Sequence, residues 1–288
     1  VSACRGRYIP GRLAPPSGDA GNRERLRGPA SPSGVADGAV QQRGSRACIL
    51  RSLSVLVSTN HRRMIAIRPP EYFPRCAYAA LLLHVDHFVI ADTFQYSRQS
   101  FQNRSKLRNP QGWQWITIPL FGSASGRPIH DVDLARRDRW RTQHWRALFY
   151  NYRSTMYFAH YQDDFQSFFD EEWSRLGPCT SRSVELTADL LKITTPITRA
   201  SDIDGAPATT AAIADAMGDD TLLVPPGAAP HDADAAQHLR VLRYEHPTYR
   251  QNFEGFETGM SALDVMLNYG PECQRVIEGG SRIEEWEA

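Results

Sequence analysis

The chain has 288 residues, 41% hydrophobic and 23% charged, with a formal charge of +1, the profile of an ordinary globular protein with material for a sizeable core. No run approaches the roughly 18 apolar residues of a membrane span; the longest candidate, Ile49 to Val57, is interrupted by Arg51. Residues 1–63 contribute +8 (11 Arg, no Lys, three acids) and leave −7 for the rest, an acidic body that argues against nucleic acid as a partner.

Residues 1–63 are rich in Arg, Gly, Ser, Pro and Ala and lack a hydrophobic period, so they are expected to be disordered. The first methionine is Met64, where the texture changes to MIAIRPPEYFP. The simplest account makes Met64 the start of the working protein and the preceding stretch upstream sequence read in frame; an organellar presequence is the alternative. The cysteines Cys4, Cys48, Cys76, Cys179 and Cys273 are scattered and form no C-x-x-C pair. They point to reduced thiols in a cytoplasmic protein rather than to a zinc ribbon or a disulfide framework.

From Met64 the elements follow in order. Met64 to Arg68 reads as a strand, Pro69-Pro70 as an extended turn, Cys76 to Val85 as a helix and Phe88 to Ala91 as a second strand. This is a βαβ unit, and the loops Pro69 to Pro74 and Asp92 to Tyr96 then share the carboxyl rim where ligands gather. Arg104 to Arg108 and Trp113 to Leu120 read as strands joined by a turn at Asn109 to Gly112, followed by the loop GSASGRP and a short strand at Ile129 to Val132. Apolar spacing predicts helices over Asp138 to Tyr152 and Met156 to Arg175, with an aromatic stripe. Gly177-Pro178 ends that pair; a helix at Ser183 to Leu190 and a strand at Leu191 to Thr195 follow. Thr209 to Met217 reads as an Ala-rich helix capped by Gly218, then strand Thr221 to Val224, helix Ala233 to His238 and strand Leu239 to Tyr244. Ser261 to Asn268 opens on a capping box, with Asp264 able to bond back to the Ser261 amide. The expected fold is α/β: one domain over residues 64–288 with a Rossmann-like, mostly parallel sheet, flanking helices, a β-hairpin insertion and the aromatic helical pair.

Chemistry-bearing residues concentrate in TFQYSRQSFQNRSKLRNPQGWQWITIPL, Thr93 to Leu120. Gln95, Tyr96, Gln102 and Asn103 offer uncharged donors and acceptors. Arg98, Arg104, Lys106 and Arg108 supply cations suited to carboxylate or phosphate. The expected partner is a small anionic molecule, with Glu71 and Tyr72 from the PPEYFP loop and Tyr249 and Gln251 from HPTYRQ as walls. Asp92, His144 and His246 are the candidate acids or bases, the histidines because imidazole titrates near neutrality. His84 and His87 in HVDH straddle a helix end and a strand start, so no metal site is expected. No cofactor is required by the sequence; an acyl-CoA or a nucleotide sugar would enter as substrate. Oligomeric state is not legible.

The blocks IAIRPPEYFPRCAYAALL, HVDHFVIADTFQYSRQSFQNRSKL, WITIPL, WRTQHWRAL and HPTYRQNFEGFETGMSALDVMLNYG resemble, in order, those of the WbqC-like proteins. This chain departs from them in carrying Pro69-Pro70-Glu71 where the family has Gln-Pro before Tyr-Phe-Pro. The resemblance implies a place in bacterial surface-polysaccharide, including O-antigen, synthesis. The activity it implies is acyl or aminoacyl transfer to an activated amino sugar. Two other readings stand beside it: a non-catalytic assembly protein that uses the aromatic helices as a partner surface, and an RNA binder that uses the Tyr96 to Trp113 stretch.

Overall fold

The computed structural model describes residues 63–286 apart from 136–138, 219–220, 233 and 236–237. The expectation of a disordered, non-native stretch before Met64 falls, but for Arg63, outside the described residues.

Strand β1 (Met64–Arg68) is the middle of the fold. Ile65 and Ile67 join one hydrophobic core and Ala66 the other, so both faces are covered, as an internal parallel strand requires. The chain then turns through Pro69–Pro74 into α1 (Cys76–Leu83). Glu71 accepts from the Arg75 backbone N–H at 3.2 Å and from its guanidinium, which fixes the entry to that helix. Strand β2 (His87–Ile90) comes back parallel to β1, with Ile65 opposite His87 and Arg68 opposite Ile90.

Before the sheet resumes, the chain builds a separate hairpin and three helices. Strands β3 (Arg104–Asn109) and β4 (Gly112–Thr117) pair antiparallel with Arg104 opposite Thr117. Gly112 has φ +119°, which lets the turn close. Residues 129–132, expected as a strand, form a 3-10 turn at Ile129–Asp131; four residues give alternation too little length to decide. Helices α2 (Arg139–Tyr152) and α3 (Phe158–Asp170) bury Trp140, Phe158, Phe165, Phe168 and Phe169. The aromatic stripe is therefore core and leaves little of itself for a partner.

Helix α4 (Leu176–Leu190) contains the Gly177-Pro178 pair in its first turn instead of ending before it. Proline costs nothing there, because its missing N–H would have no helical acceptor. Gly177 answers a close approach: a Cβ on it would lie 2.4 Å from the His130 Cα. The strand expected at Leu191 to Thr195 is absent; Lys192 takes φ +59°, and β5 (Ile197–Arg199) forms just beyond, parallel to β2.

Helix α5 (Thr210–Met217) has Thr209 as N-cap and Gly218 at φ +102° as C-cap. Strand β6 (Thr221–Val224) pairs with the free side of β1. Helix α6 (Ala229–Asp232) lies earlier than the expected Ala233 to His238 helix; His238 instead opens β7 (His238–Tyr244), parallel to β6. Helices α7 (Ala262–Tyr269) and α8 (Cys273–Glu278) lead to β8 (Ser281–Glu285), antiparallel to β7. The sheet order is β5-β2-β1-β6-β7-β8, mixed α/β and Rossmann-like, with the reversal between β1 and β6. No helix among the described residues is long and apolar enough to cross a membrane.

Candidate functional site

The order reversal opens a crevice at the carboxyl ends of β1 and β6. A cavity of about 410 Å³ there is lined by Arg68 and Pro69 at the end of β1, Phe94 after β2, and Pro225, Ala228, His231 and Asp232 after β6. A second hollow of about 340 Å³ shares Phe94 and His231 and continues to Thr209 and Thr210 at the start of α5. Arg68 lies 3.3 Å from the Asp232 carboxylate, whose other oxygen accepts from the Thr210 hydroxyl at 2.9 Å. One cation, two carboxylates (Asp232 and Asp234), two threonines, an exposed imidazole and a ring thus converge where open α/β sheets hold ligands. The loop from β1 to α1 has no glycine between Pro69 and Arg75, and its Tyr72 and Phe73 are buried in the core. A glycine-rich diphosphate cradle is therefore not how this crevice would grip a ligand.

Asp92, just after β2, is buried and does not line the crevice. Its buried carboxylate accepts from the Ser201 N–H at 2.9 Å and the Ser201 hydroxyl at 2.7 Å, and Thr93 donates to the Pro207 carbonyl at 2.6 Å. These bonds fasten the chain between β5 and α5 to the end of β2.

The residues picked from Thr93 to Leu120 are close together but mostly bonded to one another. The Gln102 side chain accepts from the Ser97 N–H at 2.8 Å, and the Tyr96 phenol donates to Asn103, whose amide donates to the Ile118 carbonyl. Arg104 donates to the Ser100 and Gln99 carbonyls and stacks 4.2 Å above Trp115. Lys106 sits 4.0 Å above Trp113. Gln95 is exposed and bridges to Pro128. Arg98 is exposed and lines a hollow of about 310 Å³ with Tyr96, Ser123 and Ser125. Of the cations picked from this stretch, Arg98 is the one placed to meet an anion. Glu71 is committed to Arg75, whose guanidinium lies 3.8 Å above Phe101.

The two histidines sit away from the crevice residues. His144 is 5% exposed, its Nδ1 3.0 Å from the Tyr72 phenol, among Trp140 and Phe169. Burial pushes its pKa down to about 4, so it is neutral at neutral pH. His246 is half-buried, stacked 5.7 Å from Tyr249 with its Nδ1–H toward the Pro247 carbonyl, and burial lowers its pKa too.

A buried polar cluster gives Tyr249 and Gln251 their role. Asp264 accepts from the phenols of Tyr152 at 2.9 Å and Tyr249 at 2.6 Å. Gln251 accepts from Arg108 at 3.0 Å and from the Glu257 N–H at 2.9 Å, and donates to the Tyr249 phenol at 3.3 Å. Arg108, 2% exposed, donates also to the carbonyls of Asn109, Gly112 and Glu254. Burial raises the Asp264 carboxyl, while the phenols, Gln251 and Arg108 pull it back down. The expected capping box is half present. Ser261 does cap α7, bonding the Leu263 N–H at 3.3 Å, but its own N–H goes to the Lys106 carbonyl and leaves Asp264 for the phenols.

The sequence profile of the WbqC-like protein family matches residues 69–276. The chain belongs to the WbqC-like family. A relative is the uncharacterized protein Rv1507c of Mycobacterium tuberculosis, 29% identical over 224 residues, which span 73% of this chain and 96% of that protein. No solved structure matches the chain. The WbqC-like span takes in the whole buried cluster and every crevice residue named above except Arg68, which immediately precedes it. Sequence reasoning placed Pro69 and Phe94 on one rim but missed Arg68, His231 and Asp232. The available signal was the end of each strand in a reversing order, which needs the sheet to be known.

Proposed function

We propose that this chain is an enzyme of cell-surface polysaccharide biosynthesis that transfers an acyl or aminoacyl group to an amino sugar, with the crevice holding the nucleotide part of its activated substrate. The observation that carries this reading is the convergence of Arg68, Phe94, Thr210, His231 and Asp232 at the reversal of the sheet. A ring face suits a base, a carboxylate suits ribose hydroxyls, and a guanidinium suits phosphate. Acyl-CoA and nucleotide sugars both carry such a group. Membership of the WbqC-like family supports the polysaccharide context.

In the transfer, the amine nitrogen of the sugar attacks the acyl carbonyl and forms the amide bond. The bond from that carbon to its carrier sulfur breaks, and the thiolate leaves with the electron pair. The amine loses one proton, which passes to the departing thiolate. Isothermal titration with UDP and with coenzyme A tests the reading. Binding of one of them that weakens at least tenfold in Arg68→Ala supports it, and wild-type protein that binds neither overturns it.

A further inference from the structure

The connection from α2 to α3, the segment after β7 and the end of α7 enclose another cavity of about 570 Å³, lined by Ser154, Arg250, Gln251, Asn252, Asn268 and Tyr269 among others. Its polar lining is amides, hydroxyls and one guanidinium, without a carboxylate. Several of these groups are already set. The Tyr269 phenol accepts from the Arg250 backbone N–H at 2.9 Å, and Asn268 donates its amide to the Asp264 carbonyl at 2.7 Å. Gln251 is held from beneath by Arg108 and Tyr249, so the floor is the rigid cluster around Asp264. Asn252 donates its amide to the Asn151 carbonyl, and its Oδ1 is left buried without a donor. Among the described residues, the Arg250 guanidinium and the Ser154 hydroxyl have no bonding partner.

Fixed amides and hydroxyls with one exposed cation match the hydroxyls of a pyranose, each both donor and acceptor. We infer that this cavity binds the sugar ring of the acceptor, at a site distinct from the nucleotide crevice. The assignment rests on the transfer reading above for the word acceptor, and on the cavity alone for the sugar.

Saturation-transfer NMR on the full chain, titrated with N-acetylglucosamine, N-acetylgalactosamine and glucose, tests it, with UDP and coenzyme A titrated in parallel. The expected result is transfer to the ring protons of at least one sugar, weakened tenfold or more in Arg250→Ala and in Asn252→Ala, with nucleotide binding unchanged. Arg250 is exposed, so its variant keeps the test alive if Asn252→Ala fails to fold. No transfer to any of the three sugars, or transfer unaltered in Arg250→Ala, overturns the inference. Sugar binding without binding of either nucleotide would remove the crevice reading and leave this site standing; nucleotide binding without sugar removes this site alone.

Discussion

The hairpin β3–β4 and the crevice at β1 and β6 divide the chemistry of the chain in opposite ways. The hairpin collects Arg104, Lys106, Trp113 and Trp115 within a few residues, yet two of its cations lie on its own rings and Arg104 also serves loop carbonyls. The crevice gathers residues from the end of β1, from after β2 and from after β6, none of them conspicuous in the sequence. Density of functional groups along a chain therefore marks where the protein bonds to itself. Position relative to the sheet marks where room is left for something else.

The contrast can be broken by substitution, and the largest effect belongs to neither region but to the buried cluster around Asp264. Asp264→Ala should destabilise the fold by about 3–5 kcal/mol, because the Tyr152 and Tyr249 phenols lose their buried acceptor and Arg108 loses the nearby carboxylate charge. Chemical denaturation would show it, and a loss below 1 kcal/mol would mean the cluster is not structural. Next comes His144, whose folded pKa of about 4 lies below its ordinary 6.5. The unfolded chain then binds the extra proton, so the stability this residue contributes is full above pH 6.5 and is lost as pH falls toward 4. The loss amounts to about 3 kcal/mol. Denaturation at pH 7 and pH 4.5 should show a smaller drop in His144→Gln than in the native chain.

Arg68→Ala should weaken nucleotide binding tenfold or more while changing stability by less than about 1 kcal/mol, since its ion pair with Asp232 is partly solvated. Arg104→Ala should do the reverse: nucleotide affinity unchanged and stability lowered by about 1 kcal/mol, through the lost Trp115 stacking and the freed 97–103 loop. If Arg104→Ala proves the more damaging to binding, the hairpin is the ligand site after all. Lys106→Ala, with only its ring contacts to lose, should shift stability by about 0.5 kcal/mol or less in the same assay.

Much of the fold was legible because local signals and packing agree. The first βα unit, the hairpin turn at Asn109–Gly112 and the Gly218 cap follow from residue chemistry alone. Errors came where a local rule has two outcomes. Gly177-Pro178 breaks a helix interior but suits a first turn, and only the His130 contact tells which applies. Asp264 fits a capping box by spacing, but two tyrosines far along the chain claim it, and long-range partners leave no local mark. The same reason hid the crevice. The family was legible in contiguous blocks, whereas Arg68, His231 and Asp232 become neighbours only through the strand order.

The sheet's outer strands carry a further consequence. One boundary, β5, is three residues long, and the other, β8, reads SRIEE and runs against its neighbour with Arg282, Glu284 and Glu285 along it. A short border on one side and a charged one on the other are poor templates for adding a foreign strand. The protein is thus guarded against edge-to-edge aggregation at both ends of the sheet whose middle carries the crevice.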